Sequence, residues 1–187
     1  MSNALVFLID TFSKLYLLIL LMRFWLPLLR ASFQNPVAQG VLRYTSPLVN
    51  PVRRVVPSIG RIDTATVLIA VAIQYLATLL MLVLSGVDIS MLDGRFLLML
   101  IPQSFIALVD LSIILFIVAI IIRVILSWFQ RDLGGLSFAL HMLTEPLLSR
   151  ARRLIPPIGV IDLSAYIVIV LLWALRMVLN DVKLLLV

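Results

Sequence analysis

Cysteine is absent from this chain of 187 residues, which excludes disulfides, thiol chemistry and thiolate metal sites. Histidine occurs once, at His141, and a lone imidazole without cysteine partners builds no conventional zinc site. Charge is scarce: Asp, Glu, Lys and Arg make up 13% of the residues, against about 25% in ordinary soluble domains. The chain has no GxxxxGKS or GxxxxGKT phosphate cradle, no HExxH and no GxSxG, and no serine stands beside a recognisable base motif. No catalytic residue, cofactor or metal site is expected, and the sequence reads as a non-enzyme.

What the chain has in excess is apolar residues, at 63% and a mean hydropathy of +1.20, which marks an integral membrane protein. Four runs reach the roughly 20 residues a membrane helix needs, at about 4–29, 64–87, 104–129 and 163–181. No Lys or Arg precedes Lys14, and no small-residue cleavage site follows the first run, so that run is expected to be retained as a span. The net charge of +6 is unevenly placed: nine of the fifteen basic residues lie in segments 27–63 and 130–162, each between two runs. That distribution fits the positive-inside rule and anionic lipid, not nucleic acid. Both segments are therefore expected in the cytoplasm, with the two termini and the 88–103 linker outside.

The two basic segments carry a duplication. Residues 47–63, PLVNPVRRVVPSIGRID, return 99 positions later as PLLSRARRLIPPIGVID at 146–162, identical at nine of 17 positions. The chain is thus two parallel two-span repeats, 1–87 and 104–187, related by an expected pseudo-twofold along the membrane normal. Within each motif the apolar residues Leu48, Val49, Val52, Val55, Val56 and Leu147, Leu148, Ala151, Leu154, Ile155 make one helical stripe. The spacing predicts short amphipathic helices over 47–56 and 146–155, lying in the interface because ten residues cover only about 15 Å. Ser46 and Thr144 are the expected caps or near-caps, with Pro47 and Pro146 in the first turn. Pro51 is expected to perturb the first helix, with Asn50 capping a restart, and Pro57 and Pro156 end the two helices. Arg53, Arg54, Arg152 and Arg153 are candidate contacts for anionic headgroups or a protein partner. Asp63 and Asp162, immediately before spans two and four, are candidate helix caps.

Ionisable residues also sit inside the runs, where they are expensive and normally paired. Asp10 and Asp110 occupy matching places in spans one and three, as do Arg23 and Arg123. Thirteen residues, about 20 Å, separate each Asp from its Arg, so neither pair closes within its own span, and both arginines are expected to snorkel to the inner interface. Lys14 is four residues from Asp10, the spacing of an intrahelical pair. Arg176 has no counterpart in the first repeat, where Ala77 aligns. Its depth in span four matches that of Asp110 in span three and Asp10 in span one, so Arg176 is expected to form an intramembrane ion pair with Asp110 or, across the pseudo-twofold, with Asp10. Asp110 is the first choice because spans three and four are expected neighbours and Lys14 already offers Asp10 a partner. Gln74 and Asn180 are candidates for hydrogen bonds between helices. Trp25, Trp128 and Phe129 read as interfacial anchors.

A doubled Pro-Leu with Arg-Arg, Pro and Ile-Gly-x-Ile-Asp between paired spans resembles the YggT family of bacterial membrane proteins, relatives of YlmG and CCB3 proteins, in its two-repeat form. The resemblance covers nearly the whole chain. It implies an inner-membrane location and an association with osmotic or envelope stress, cell division or membrane-complex biogenesis, and it supplies no catalytic residues. Two function classes follow: a scaffold or assembly factor that contacts lipid headgroups and another membrane protein or a second copy, or a small transporter or channel subunit. Four spans leave little room for an aqueous path, which favours the scaffold.

Overall fold

The computed structural model describes residues 2–29, 35–87, 93–129, 132–154 and 163–185. Six helices occupy them: α1 (Ser2–Leu28), α2 (Pro36–Arg53), α3 (Thr64–Leu84), α4 (Gly94–Trp128), α5 (Gly135–Leu154) and α6 (Leu163–Leu185). There is no strand among the described residues, only an isolated bridge between Ile59 and Ile62 around Gly60, whose φ of 60° suits a residue without Cβ. Helices α1, α3, α4 and α6 are long and apolar enough to cross a membrane. Their exposed faces are apolar, with Phe7 66%, Phe12 66%, Leu171 63% and Met177 64% exposed. Such surface is a liability in water and ordinary against lipid.

Helix α4 is the central one, packing against α1, α3, α5 and α6. It contributes Leu108, Leu111 and Leu115 to a core shared with Leu17, Leu20 and Leu21 of α1, Val49 of α2 and Ile69 of α3. A second core joins Ile120 of α4 to Leu148 of α5 and to Ala165 and Val168 of α6. Val49 and Leu148 occupy the same place in the duplicated motif. The connecting helices α2 and α5 also pack against each other, with Ala38 and Leu143 meeting Leu26 of α1.

The helix boundaries correct the sequence reading in three places. Residues 47–56 and 146–155 are not separate short helices, because α2 starts at Pro36 and α5 at Gly135. Asn35 caps α2, accepting from Val37 N at 2.9 Å with Pro36 in the first turn, so Pro47, Pro51 and Pro146 lie in helix interiors and Ser46, Asn50 and Thr144 cap nothing. At 18 and 20 residues, α2 and α5 approach the length of a span; their polarity, not their length, separates them from the four long apolar helices. Third, α4 runs from Gly94 to Trp128 through Pro102, so most of the expected 88–103 linker is helix. Asp93 starts it by accepting from Phe96 N at 2.7 Å. At 35 residues α4 is about 52 Å long, well beyond a 30 Å apolar core.

One close approach fixes the α2–α5 seam. Asn35 Nδ2 donates to Gly135 O at 2.6 Å while its Oδ1 caps α2, and a Cβ on Gly135 would stand 2.6 Å from that Oδ1 and 3.1 Å from Pro36 Cδ. Relief requires giving up the cap, the clamp or both. Gly135→Ala should therefore cost about 1–3 kcal/mol, read as a lower midpoint of thermal unfolding in mild detergent. Gly94→Ala, which meets nothing within 4 Å, is the control and should leave the midpoint unchanged.

Candidate functional site

Charged side chains gather at two ends of the bundle. At the end formed by the C-terminal half of α1 and by α2, Arg23 is 2% exposed. It does not snorkel as its position suggested. Its Nη1 donates to Thr45 Oγ1 at 2.8 Å and Ser46 Oγ at 3.1 Å, and its Nε lies 3.6 Å from Asp63 Oδ2 without a hydrogen bond of its own. Thr45 Oγ1 in turn donates to Val41 O one turn back, at 2.6 Å, so its hydroxyl is used in both directions. A guanidinium inside a packed interior needs such partners, and the packing of α2 on α1 brings them within reach.

Asp63 caps α3 and does more. It accepts from Thr66 N at 3.3 Å and Thr66 Oγ1 at 2.7 Å, and it is ion-paired with Arg53. Burial pushes its carboxyl up, but the hydrogen bonds from Thr66 and Arg53 outweigh burial and hold it below the ordinary aspartate value. Arg23, Arg53, Arg61 and Asp63 line a cavity of about 410 Å³, with Ser58 and Gly60 at its wall. Three guanidinium groups against one carboxylate leave it positive.

The second half repeats this arrangement with a different acid. Arg123 Nη1 donates to Thr144 Oγ1 at 2.7 Å, and Nη2 to Glu145 Oε2 at 2.8 Å. Arg152, which occupies the place of Arg53, pairs with Glu145 at 3.3 Å, and His141 stands 3.7 Å from the same carboxylate. Asp162, the expected cap of the fourth span, lies outside the described residues. Within each arginine doublet the first member is thus tied to an acid, whereas Arg54 and Arg153 are exposed with no ion pair among the described residues. Trp128 and Phe129 are 75% and 70% exposed. Trp25 is not an interfacial anchor: its ring packs edge-on against Phe116 at 4.9 Å, and its Nε1 is buried.

At the other end, α1, α3, α4 and α6 enclose a cavity of about 380 Å³. Arg176 and Asp110 meet there as a two-pronged pair, Nε to Oδ1 at 2.6 Å and Nη2 to Oδ2 at 3.1 Å, and the guanidinium lies 5.0 Å above the Trp173 ring. Lys14 Nζ reaches Asp10 Oδ2 at 2.7 Å. Gln74, Thr78, Asn180 and Lys183 complete the polar lining, although the hydrogen bond of the Gln74 amide runs within α3, to Thr78 Oγ1 at 3.2 Å. Reading the sequence one span at a time missed this gathering. The available signal was the shared depth of the polar residues in the halves of the four runs away from the basic segments. No group of His, Asp and Glu suited to a metal ion occurs among the described residues.

Four apolar helices around a packed centre, with charge confined to pairs and to the two ends, define a multi-pass membrane protein. A sequence model of the CCB3/YggT family matches twice, over residues 2–84 and 102–184, and the chain belongs to that family. It is 38% identical over 165 residues to a Pseudomonas aeruginosa protein named Uncharacterized protein PA0392, covering 88% of this chain and 82% of that one. It is 33% identical over 176 residues to Uncharacterized protein YggT of Escherichia coli K12, covering 94% and 88%. A Vibrio alginolyticus protein, named for its position in the proC 3' region, is 32% identical over 180 residues, covering 96% and 95%. Neither the family nor these names give any sign of catalysis. No solved structure matches the chain.

The Arg176–Asp110 pair joins α4 to α6, with side chains only 20% and 25% exposed. Removing one partner strands a charge, whereas removing both does not. Arg176→Met and Asp110→Leu should each destabilise the protein more than the double variant does, with a coupling of about 1–3 kcal/mol. Thermal unfolding of the three variants in detergent gives the answer; additive losses would mean that the two residues do not interact.

Proposed function

We propose that this protein is a non-catalytic scaffold or assembly factor of the bacterial inner membrane, held through its arginine-bearing connections to anionic headgroups and presenting that end to a membrane-protein partner or a second copy. The observation that carries this reading is the cavity of about 410 Å³ lined by Arg23, Arg53 and Arg61, beside the exposed Arg54 and, in the other half, Arg153. Guanidinium groups present fixed forks of N–H donors that match phosphate oxygens, and each basic residue near an anionic surface is worth about 1 kcal/mol. Helices α2 and α5 lie along the inner interface in this reading, with arginines toward headgroups. The processes it would serve are those the family resemblance suggests: envelope or osmotic stress, cell division or the biogenesis of a membrane complex. A transporter or channel subunit is the second reading, favoured by the polar cavity between the spans. The closed ion pairs in that cavity favour the scaffold, and reproducible solute flux in liposomes containing only this protein would reverse the order.

Arg54, Arg61 and Arg153 are the residues to change, because no ion pair within the described residues depends on them. Replacing all three by glutamine should lower affinity for phosphatidylglycerol by about two orders of magnitude while leaving thermal unfolding unaltered. Lipid retained by the purified protein, measured by native mass spectrometry against phosphatidylcholine, reads the effect, and unchanged retention would remove the headgroup role.

The same reading puts the amino and carboxyl termini in the periplasm, with α2 and α5 on the cytoplasmic side, because nine basic residues fall in the two connections. A reporter fused after Val187 should be active in its periplasmic form. Activity only in the cytoplasmic form would invert the orientation.

A further inference from the structure

The cavity among α1, α3, α4 and α6 carries more positive charge than its ion pairs use. Lys14, Arg176 and Lys183 line it against Asp10 and Asp110, an excess of one positive charge. Asp110 engages two of the five N–H donors of Arg176, and Asp10 engages one donor of Lys14. Among the described residues no carboxylate pairs with Lys183. Asp181, two residues away, does not line the cavity, as expected for positions that do not share a helix face. Lys183 is exposed and Arg176 partly buried, so an anion drawn by the free ammonium reaches guanidinium donors shielded from water, where attraction is stronger than at an open surface.

The rest of the lining selects among anions. Met81, Ile106, Leu111, Ile114 and Leu179 supply an apolar wall beside the charged groups, and about 380 Å³ falls within the range of small-molecule sites, about 300–1,000 Å³. One excess charge is balanced by a monoanion, and the apolar wall favours a ligand with a hydrocarbon body. The cavity also has a side on which its walls do not close: α3 packs against α4, but α6 makes no comparable seam with α1.

We infer that this cavity is a binding site for a small aliphatic monocarboxylate, its carboxylate held by Lys183, Lys14 and the unused N–H groups of Arg176, and its chain against the α3–α4 wall. The site is independent of the headgroup role at the opposite end. Trp173, beneath the Arg176 guanidinium, provides a local reporter once Trp25→Phe and Trp128→Phe remove the other two tryptophans.

The experiment titrates butyrate into this single-tryptophan protein in an uncharged, lipid-free detergent. A saturable change in Trp173 emission is expected, with affinity about fivefold weaker in Lys183→Gln and nearly retained in Lys183→Arg. Calorimetric titration of the wild-type protein with butyrate gives the same answer if the tryptophan replacements impair folding. No saturable response in either measurement would overturn the inference. So would an equal response to n-butanol, n-butylammonium or phosphate, or an affinity untouched by Lys183→Gln.

Discussion

The fold depends on satisfying one span arginine in each half, Arg23, which is buried, and Arg123, which is partly so. Arg23 is almost fully enclosed, and a guanidinium in that position is tolerable only if its N–H groups and its charge both find partners. Thr45 of α2 supplies an acceptor and Asp63 at the start of α3 supplies the opposite charge. One residue of the first span thus sets where the connecting helix must lie and where the second span must begin. Arg123 imposes the same demand on α5 through Thr144. The threonine recurs because a hydroxyl that donates to the carbonyl one turn back still accepts from an incoming N–H, and both threonines do so.

The two halves meet this demand with different acids, and the difference extends outward. In the first half the carboxylate is a helix cap, Asp63, and in the second it is Glu145 from within α5, where the first half has Ser46. Arg53 and Arg152 follow their respective acids. At the opposite end, only the second half has Arg176, and its pair with Asp110 ties α6 to α4. That tie acts on a helix with fewer neighbours than its counterpart: α3 packs on α1, α2 and α4, whereas α6 packs on α4 and α5. The pair fixes where α6 sits against α4, because any other placement would strand one of the two charges.

Much of this was legible in the chain, and the remainder was hidden for identifiable reasons. The apolar runs announce the four long helices because lipid demands length and apolarity together. Arg176 pointed to Asp110 because depth along a helix converts directly from residue number, and the structure brings the two together. Proline misled, since Pro47 and Pro146 read as first-turn residues and Pro51 as the point of a helix restart, whereas all three lie inside helices. Packing of α2 on α1, α3 and α5, and of α5 on α1, α4 and α6, holds those helices through the gaps that proline leaves in the hydrogen-bond ladder. The burial of Arg23 was hidden because snorkelling and inward pairing look alike from one span, and only the positions of Thr45 and Asp63, 22 and 40 residues on, separate them.

The arginine doublet gains its meaning from this arrangement. Consecutive residues on a helix point about 100° apart, so two adjacent arginines cannot both serve an acid in the bundle. The structure ties Arg53, itself still exposed, and the partly buried Arg152 to Asp63 and Glu145, and leaves Arg54 and Arg153 exposed without an acid among the described residues. A single arginine at either position would have to choose between holding the connecting helix to its span and presenting charge outside. The doublet does both, and because the acid-bound member fixes the helix rotation, it also fixes the direction in which its neighbour projects. The outward charge is thereby oriented by the same interaction that closes the fold.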